Sequence, residues 1–211
     1  MEELTLLGER AVQAKYELQR MTTEKKNEVL EAVAEALIQN TEYLLLENHK
    51  DLERGIANQM NPGLVDRLRL TKERIAGMAE GIRQIVKLPD PVGEILDDYE
   101  AENGLHIVKK RVPMGVIGII YESRPNVTAD AFGLCFKSGS AVILKGGSDA
   151  IRSNMAITKV IQDAVVRKGV DPYVIQLIES TDRSVVNEFM KMKQYVDLLI
   201  PRGGAGLIRN V

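Results

Sequence analysis

Tryptophan is absent, cysteine occurs once, and aromatic residues make up only 4% of the 211 positions. So few flat rings leave little material for stacking nucleobases. A single thiol, Cys135, excludes an internal disulfide framework, and no C-x-x-C metal site is present. The chain suits a reducing cytosol, and a cytoplasmic location is expected. An excess of one charge is missing as well: 28 basic against 30 acidic residues give a net charge of -2. That leaves no field to gather DNA, RNA or anionic lipid, so neither nucleic acid nor a membrane is expected as a partner. No apolar run approaches the roughly 20 residues that span a bilayer. The opening MEELTLLGERAVQAKYELQ has no basic leader followed by an apolar core, so it does not read as a signal peptide. Against these absences stands a 45% hydrophobic content, ample for a packed core.

Two short apolar runs organise the chain. Val116–Tyr121 and residues 141–144 fit strands buried on both faces of a parallel sheet. Each ends in residues suited to chemistry: Glu122-Ser123-Arg124-Pro125-Asn126 after the first, Lys145-Gly146-Gly147-Ser148 after the second. The pattern then alternates, predicting strands over 116–121, 141–145, 174–178 and 196–200 with helices over 128–137, 149–167 and 183–191 between them. Four strands with three helical crossovers make a parallel, right-handed βαβ array, so the fold class expected is α/β with a Rossmann-like sheet.

Ahead of the array, residues 1–91 read as a helical layer, with apolar residues at helical spacing in Val29, Val33, Ala36 and Leu37 and again in Ile75, Met78, Ile82 and Ile85. Thr23 before Glu24, Thr41 before Glu42 and Thr71 before Glu73 are expected helix caps. Pro89-Asp90-Pro91 stops the last helix. Residues 92–112 predict a hairpin, with strands over 92–99 and 105–112 and Asn103-Gly104 at the turn. Residues 113–211 then carry the βα units. The last strand runs into Pro201-Arg202-Gly203-Gly204-Ala205-Gly206, and residues 207–211 begin a helix that stops about one turn in. One turn covers no sheet face, so the chain is expected to be the front part of something longer.

In open α/β sheets, ligands sit outside the carboxyl ends of the strands, which directs attention to the turns. Lys145-Gly146-Gly147-Ser148 lets the backbone approach a ligand, Ser148 can cap the following helix, and the helix start would attract phosphate. An acidic residue after the second strand usually binds the ribose of NAD; here a lysine and two glycines stand there, which favours NADP, with Asp149 close by as a counterargument. The alternative is an ordinary tight turn with a solvated lysine. Asn126 could donate to a developing oxyanion or serve only as a helix cap. Arg124 could hold a phosphate or carboxylate bidentately or be a plain surface arginine. Gly203 and Gly204, beside Arg202, could meet a pyrophosphate or simply make a sharp turn. Cys135 shares a helical face with Thr128, Ala131 and Phe132, so a buried, inert thiol is expected. His49 and His106 lie far apart and are given no role.

The stretches KKRVPMGVIGIIYESRPNVTADAFGLCFKSGSAVILKGGSDA, DRLRLTKERI and YVDLLIPRGGAGLIRNV together resemble the gamma-glutamyl phosphate reductases, or glutamate-5-semialdehyde dehydrogenases, a branch of the aldehyde dehydrogenase superfamily. The likeness runs over nearly the whole chain. It implies a sheet of the aldehyde dehydrogenase type and NADPH-dependent reduction of L-glutamyl 5-phosphate to L-glutamate 5-semialdehyde and phosphate, in proline biosynthesis. It implies an oxyanion-binding role for Asn126 and a cofactor-ribose role for Lys145. Ser148 falls where NAD-preferring relatives often carry Glu, in agreement with NADP(H). The hairpin resembles the element with which this superfamily builds dimers, which makes a homodimer an expectation. Members of the family are about twice this length, and their nucleophilic cysteine falls in a catalytic domain beyond Val211; Cys135 does not match it. Turnover by residues 1–211 is therefore not expected. A non-catalytic nucleotide- or phosphate-binding module, or an acyl-reducing relative with another substrate, stay open as alternatives.

Overall fold

The computed structural model describes residues 2–210. The helical layer comprises α1 (Glu2–Gln19), α2 (Thr23–Gln39), α3 (Thr41–Ala57), the short α4 (Pro62–Leu68) and α5 (Lys72–Lys87). Capping follows the expected chemistry at one of the three expected sites. Thr71 accepts from the Arg74 N–H as expected. At α2 the cap is Thr22, one residue earlier than read, accepting from the Lys25 N–H. Thr41 caps nothing: its hydroxyl turns back to the Ile38 carbonyl, which ends α2, and Asn40 precedes α3 without a side-chain cap.

Strands β1 (Ile95–Glu100) and β2 (His106–Lys110) pair antiparallel as a separate two-stranded sheet; β1 starts three residues and ends one residue later than expected, and β2 is shorter at both ends. Gly104 takes φ +83° in the connecting turn, a left-handed conformation that favours glycine. Ile95, Leu96, Tyr99, Ile107 and Val108 of this hairpin are all exposed.

The main sheet contains β3 (Val116–Tyr121), β4 (Ala141–Lys145), β5 (Ile175–Leu177) and β6 (Leu198–Arg202), all parallel, in the order β5-β4-β3-β6. Strands β3 and β4 are wholly buried, as unbroken apolar runs predict. The crossovers are α6 (Asn126–Lys137), α7 (Ile151–Arg167) and α8 (Arg183–Met190), and α9 (Ala205–Asn210) follows β6; Val211, the last residue of the expected final helix, lies outside the described residues. Starting in β3, the chain moves outward through β4 to β5 and then returns to the other side of β3. The strand order reverses there, and a crevice opens between β3 and β6 at their carboxyl ends.

One hydrophobic core unites layer and sheet. Leu18, Leu30 and Leu37 of the helices belong to the same buried cluster as Val142, Ile143 and Phe189. Helix α2 packs on α5, α6 and α7, α3 packs on α7, and α1 lies against β3, β4 and β5. Glycine at position 118 in β3 leaves room for Phe189 and Leu199, whose side chains would come within 2.8 Å of an added Cβ. No helix among the described residues is long and apolar enough to cross a membrane.

Candidate functional site

Two clefts flank the carboxyl end of β3. The first, of about 340 Å3, sits at the strand-order reversal and is lined by Arg67, Tyr121, Glu122, Arg124, Val127, Arg202, Gly203 and Gly204. The second, of about 360 Å3, lies between the helical layer and the start of α6, among Asp66, Arg67, Arg69, Arg74, Arg124, Asn126 and Asp130. Arg67 and Arg124 line both clefts. The layer thus brings arginines from residues 67–74 to the turn after β3, which spacing along the chain could not reveal.

Asn126 is the first residue of α6, preceded by Pro125, so the cap role weighed for it does not apply. Its Nδ2 donates to the Asp130 carboxylate at 3.0 Å, one helical turn on. Burial pushes the Asp130 carboxyl above its ordinary range, with the Asn126 hydrogen bond and the nearby Arg202 charge pulling the other way. Asp130 therefore fixes the direction of the Asn126 amide at the cleft wall. Arg74 is held on the opposite wall, donating to Asp66 Oδ1 at 3.0 Å and to the Arg69 carbonyl at 2.8 Å. Arg67, Arg69 and Arg124 have no carboxylate within ion-pairing distance among the described residues.

Lys145 is not the solvated lysine of the ordinary-turn alternative. It is 5% exposed, donates to its neighbour's carbonyl at Gly146, 2.9 Å away, and burial holds its pKa below the usual lysine value. An ammonium held this way, with two of its three N–H groups free of protein acceptors, is short of partners. The glycines after it are required by close approach. A Cβ at Gly146 would lie 2.3 Å from Asn154 Nδ2, and one at Gly147 2.9 Å from Ser123 Oγ. Beneath this turn runs a buried polar chain: Tyr121 and Thr128 share a 2.7 Å hydrogen bond, and Thr128 donates to Asn154 Oδ1 at 3.2 Å.

Ser148 does not cap α7. It opens a 3-10 turn, Ser148–Ala150, with no side-chain cap on either that turn or the helix. The first turn of α7 is met from the helical layer instead. Asp51 of α3, fully buried, accepts from the Ser153 N–H at 2.8 Å, the Ser153 hydroxyl at 2.7 Å and the Arg152 N–H at 3.2 Å. A helix start attracts negative charge, and here a protein carboxylate already provides it. Desolvation nevertheless raises the Asp51 pKa, outweighing those hydrogen bonds and the Arg54 charge. Asp149 turns its carboxylate to the Ser123 hydroxyl at 2.9 Å.

Gly203 and Gly204 connect β6 to α9, and Glu122 reaches across from the end of β3 to accept the Gly204 N–H at 2.7 Å. A Cβ at Gly203 would stand 2.6 Å from the same carboxylate oxygen. Glu122 stood among the residues read as suited to chemistry after the first strand, without a stated role, whereas Asp51, Asp130 and Arg67 are residues sequence reasoning missed. The only signal for Arg67 and Asp130 was that they lie in stretches shared with a family, DRLRLTKERI and the long stretch around ESRPNVTAD. Cys135 is buried as expected, and burial alone pushes its thiol up to about 12.

Residues 2–206 match the profile of the Aldehyde dehydrogenase family. A gamma-glutamyl phosphate reductase from Lachnospira eligens is 55% identical over 211 residues, covering 100% of this chain and 51% of the relative. One from Clostridium botulinum is 51% identical over the same span, with the same shares covered. The crystal structure of gamma-glutamyl phosphate reductase from Thermotoga maritima aligns with a TM-score of 0.96 at 41% identity, covering 99% of this chain and 50% of that one. The chain spans about half the length of the curated relatives it matches.

Proposed function

Because this chain belongs to the aldehyde dehydrogenase family, we propose that it forms the cofactor-binding part of an enzyme that reduces L-glutamyl 5-phosphate with NADPH to L-glutamate 5-semialdehyde and phosphate. The observation that carries the proposal is the sharing of Arg67 and Arg124 between the crevice at the strand-order reversal and the cleft of Asn126. A dinucleotide in the first and an anionic substrate in the second would meet over these two guanidiniums. The names of the relatives supply the substrate.

The residues fit a nicotinamide dinucleotide phosphate in charge and place. Lys145 and the Gly146-Gly147 turn follow the second strand of the sheet and would meet the ribose of such a cofactor, and Gly203 and Gly204 line the crevice with backbone. NADPH, when bound, would supply the hydride. Arg124, with Arg67, would bind the phosphate of the substrate, because a guanidinium matches phosphate in two parallel hydrogen bonds. The Asn126 amide, directed by Asp130, would donate to the carbonyl oxygen as negative charge develops on it. The thiolate that accepts the acyl group would come from outside these residues, since Cys135 is the only cysteine and its thiol is buried and protonated. Catalysis by residues 1–211 alone is accordingly not expected. The proposal places the protein in the cytoplasm as a homodimer, with the exposed apolar hairpin as its contact.

Calorimetric titration of the 211-residue chain with NADPH and with NADH tests the reading. NADPH-preferring binding that Lys145→Ala abolishes is expected. Absence of NADPH binding, or a preference for NADH, refutes the assignment of the cofactor crevice.

A further inference from the structure

Arg54 lies in the last turn of α3, nearly one hundred residues from the turn after β4, yet its guanidinium rests on that turn. Its Nη2 donates to the Ser148 carbonyl at 2.7 Å and the Asp149 carbonyl at 3.0 Å, and pairs with Asp51 Oδ1 at 2.9 Å. Asp51 is itself fixed by the first turn of α7. The guanidinium is therefore held in place by acceptors from two elements before any ligand arrives. All three contacts fall on one nitrogen. The three remaining N–H groups, on Nε and Nη1, have no acceptor among the described residues, and 43% of the side chain is exposed.

The position matters because of what surrounds it. In a sheet of this order the residues after the second strand meet the ribose of the adenosine half, and an arginine nearby accommodates a 2′-phosphate. The competing anion on the loop, Asp149, is engaged by Ser123. We propose that Arg54 is the specificity-determining residue for the 2′-phosphate of the cofactor, its free edge donating to the phosphate oxygens while its bound edge holds the Ser148-Asp149 backbone. This rests on the cofactor reading above and adds to it a residue from the helical layer.

The test is binding of NADPH and of NADH to the full 211-residue chain, followed by calorimetry, for the unaltered protein, Arg54→Gln and Arg54→Lys. The expected result is a loss of about tenfold or more in NADPH affinity in Arg54→Gln, as for one charge-assisted contact, with a clearly smaller loss for NADH, since the hold on the turn serves both cofactors. Arg54→Lys should fall between, since the point charge remains and the planar fork is lost. Retained NADH binding also reports that the variant is folded. Equal weakening of both cofactors overturns the proposal, because Arg54 would then only support the turn; so does NADPH affinity that Arg54→Gln leaves intact. Failure of the unaltered protein to bind either cofactor overturns the cofactor reading itself, and this inference with it.

Discussion

Replacing Asp90 by alanine should cost several times what the loss of an exposed ion pair costs. Asp90 follows α5 and faces Lys26 of α2, whose ammonium lies 2.9 Å and 3.2 Å from its two carboxylate oxygens. The side chains are 8% and 1% exposed. Thr23 Oγ1 at 3.0 Å and the Val92 N–H at 2.9 Å complete the carboxylate's shell. A second buried lysine, Lys137, lies in the same field: burial holds its pKa below the ordinary lysine value, and the Asp90 charge offsets this only in part. Removing the carboxylate strands a buried ammonium and leaves the hydroxyl and the amide without their acceptor. Breaking a buried pair from one side costs roughly 3–5 kcal/mol, which for a chain of this size lowers Tm by roughly 6–20 °C. Urea and thermal unfolding of Asp90→Ala measure this. Adding Lys26→Met to Asp90→Ala should restore at least about 1 kcal/mol, because the stranded charge goes with it. The pH dependence has a definite sign. Burial raises the Asp90 pKa, but Lys26, the Val92 N–H and Thr23 together outweigh it and leave the folded value below the ordinary 3.8. The stabilisation is therefore complete above that value and is lost as pH falls through the folded-state pKa. Asp90→Ala should flatten this acid limb. A loss below about 1 kcal/mol in the single variant would refute the reasoning, since so small a cost belongs to an exposed ion pair.

Two further outcomes follow from other sites. Gly8→Ala should destabilise by about 1–3 kcal/mol, because the new methyl would stand 2.4 Å from the Tyr195 ring and must displace it; thermal melts of the variant check it, and an unchanged Tm would show that Tyr195 moves freely. Cys135 should resist an aromatic disulfide reagent at pH 8 in the folded protein and react fully in urea, since burial keeps it a neutral thiol.

Strands β3 and β4 were legible to the residue because both faces are buried, so apolar character begins and ends with the strand. Strand β6 was displaced by two positions, from 196–200 to Leu198–Arg202, for a specific reason. Val196 still bonds back to Met192, and Asp197 uses its N–H and its carboxylate to bracket Val116, so pairing with β3 begins after them. Pro201, which lacks an N–H, is tolerated because β6 pairs with β3 on one side only among the described residues. Strand β5 lost its start to a 3-10 turn, Pro172–Val174, where Asp171 accepts from the Tyr173 N–H. The glycine turns and Asn126 could be read from spacing. Arg67, Arg54 and Asp51 could not, because what places them is contact between segments far apart in sequence.

The union of Asp51 with α7 has a consequence for anyone who would dissect the chain. Sequence composition suggests a seam near residue 91, with helices on one side and a self-contained nucleotide-binding sheet on the other. Excising the helices would bare the apolar face of α7, and it would also unmake the start of that helix, whose first amides find their acceptor in α3. The turn after β4 would lose Arg54, and the pocket wall would lose Arg67. The front helices are thus not an appendage to a portable binding module; they are part of what gives it a ligand-facing surface, and insertion, swapping or minimisation of this fold must carry them along.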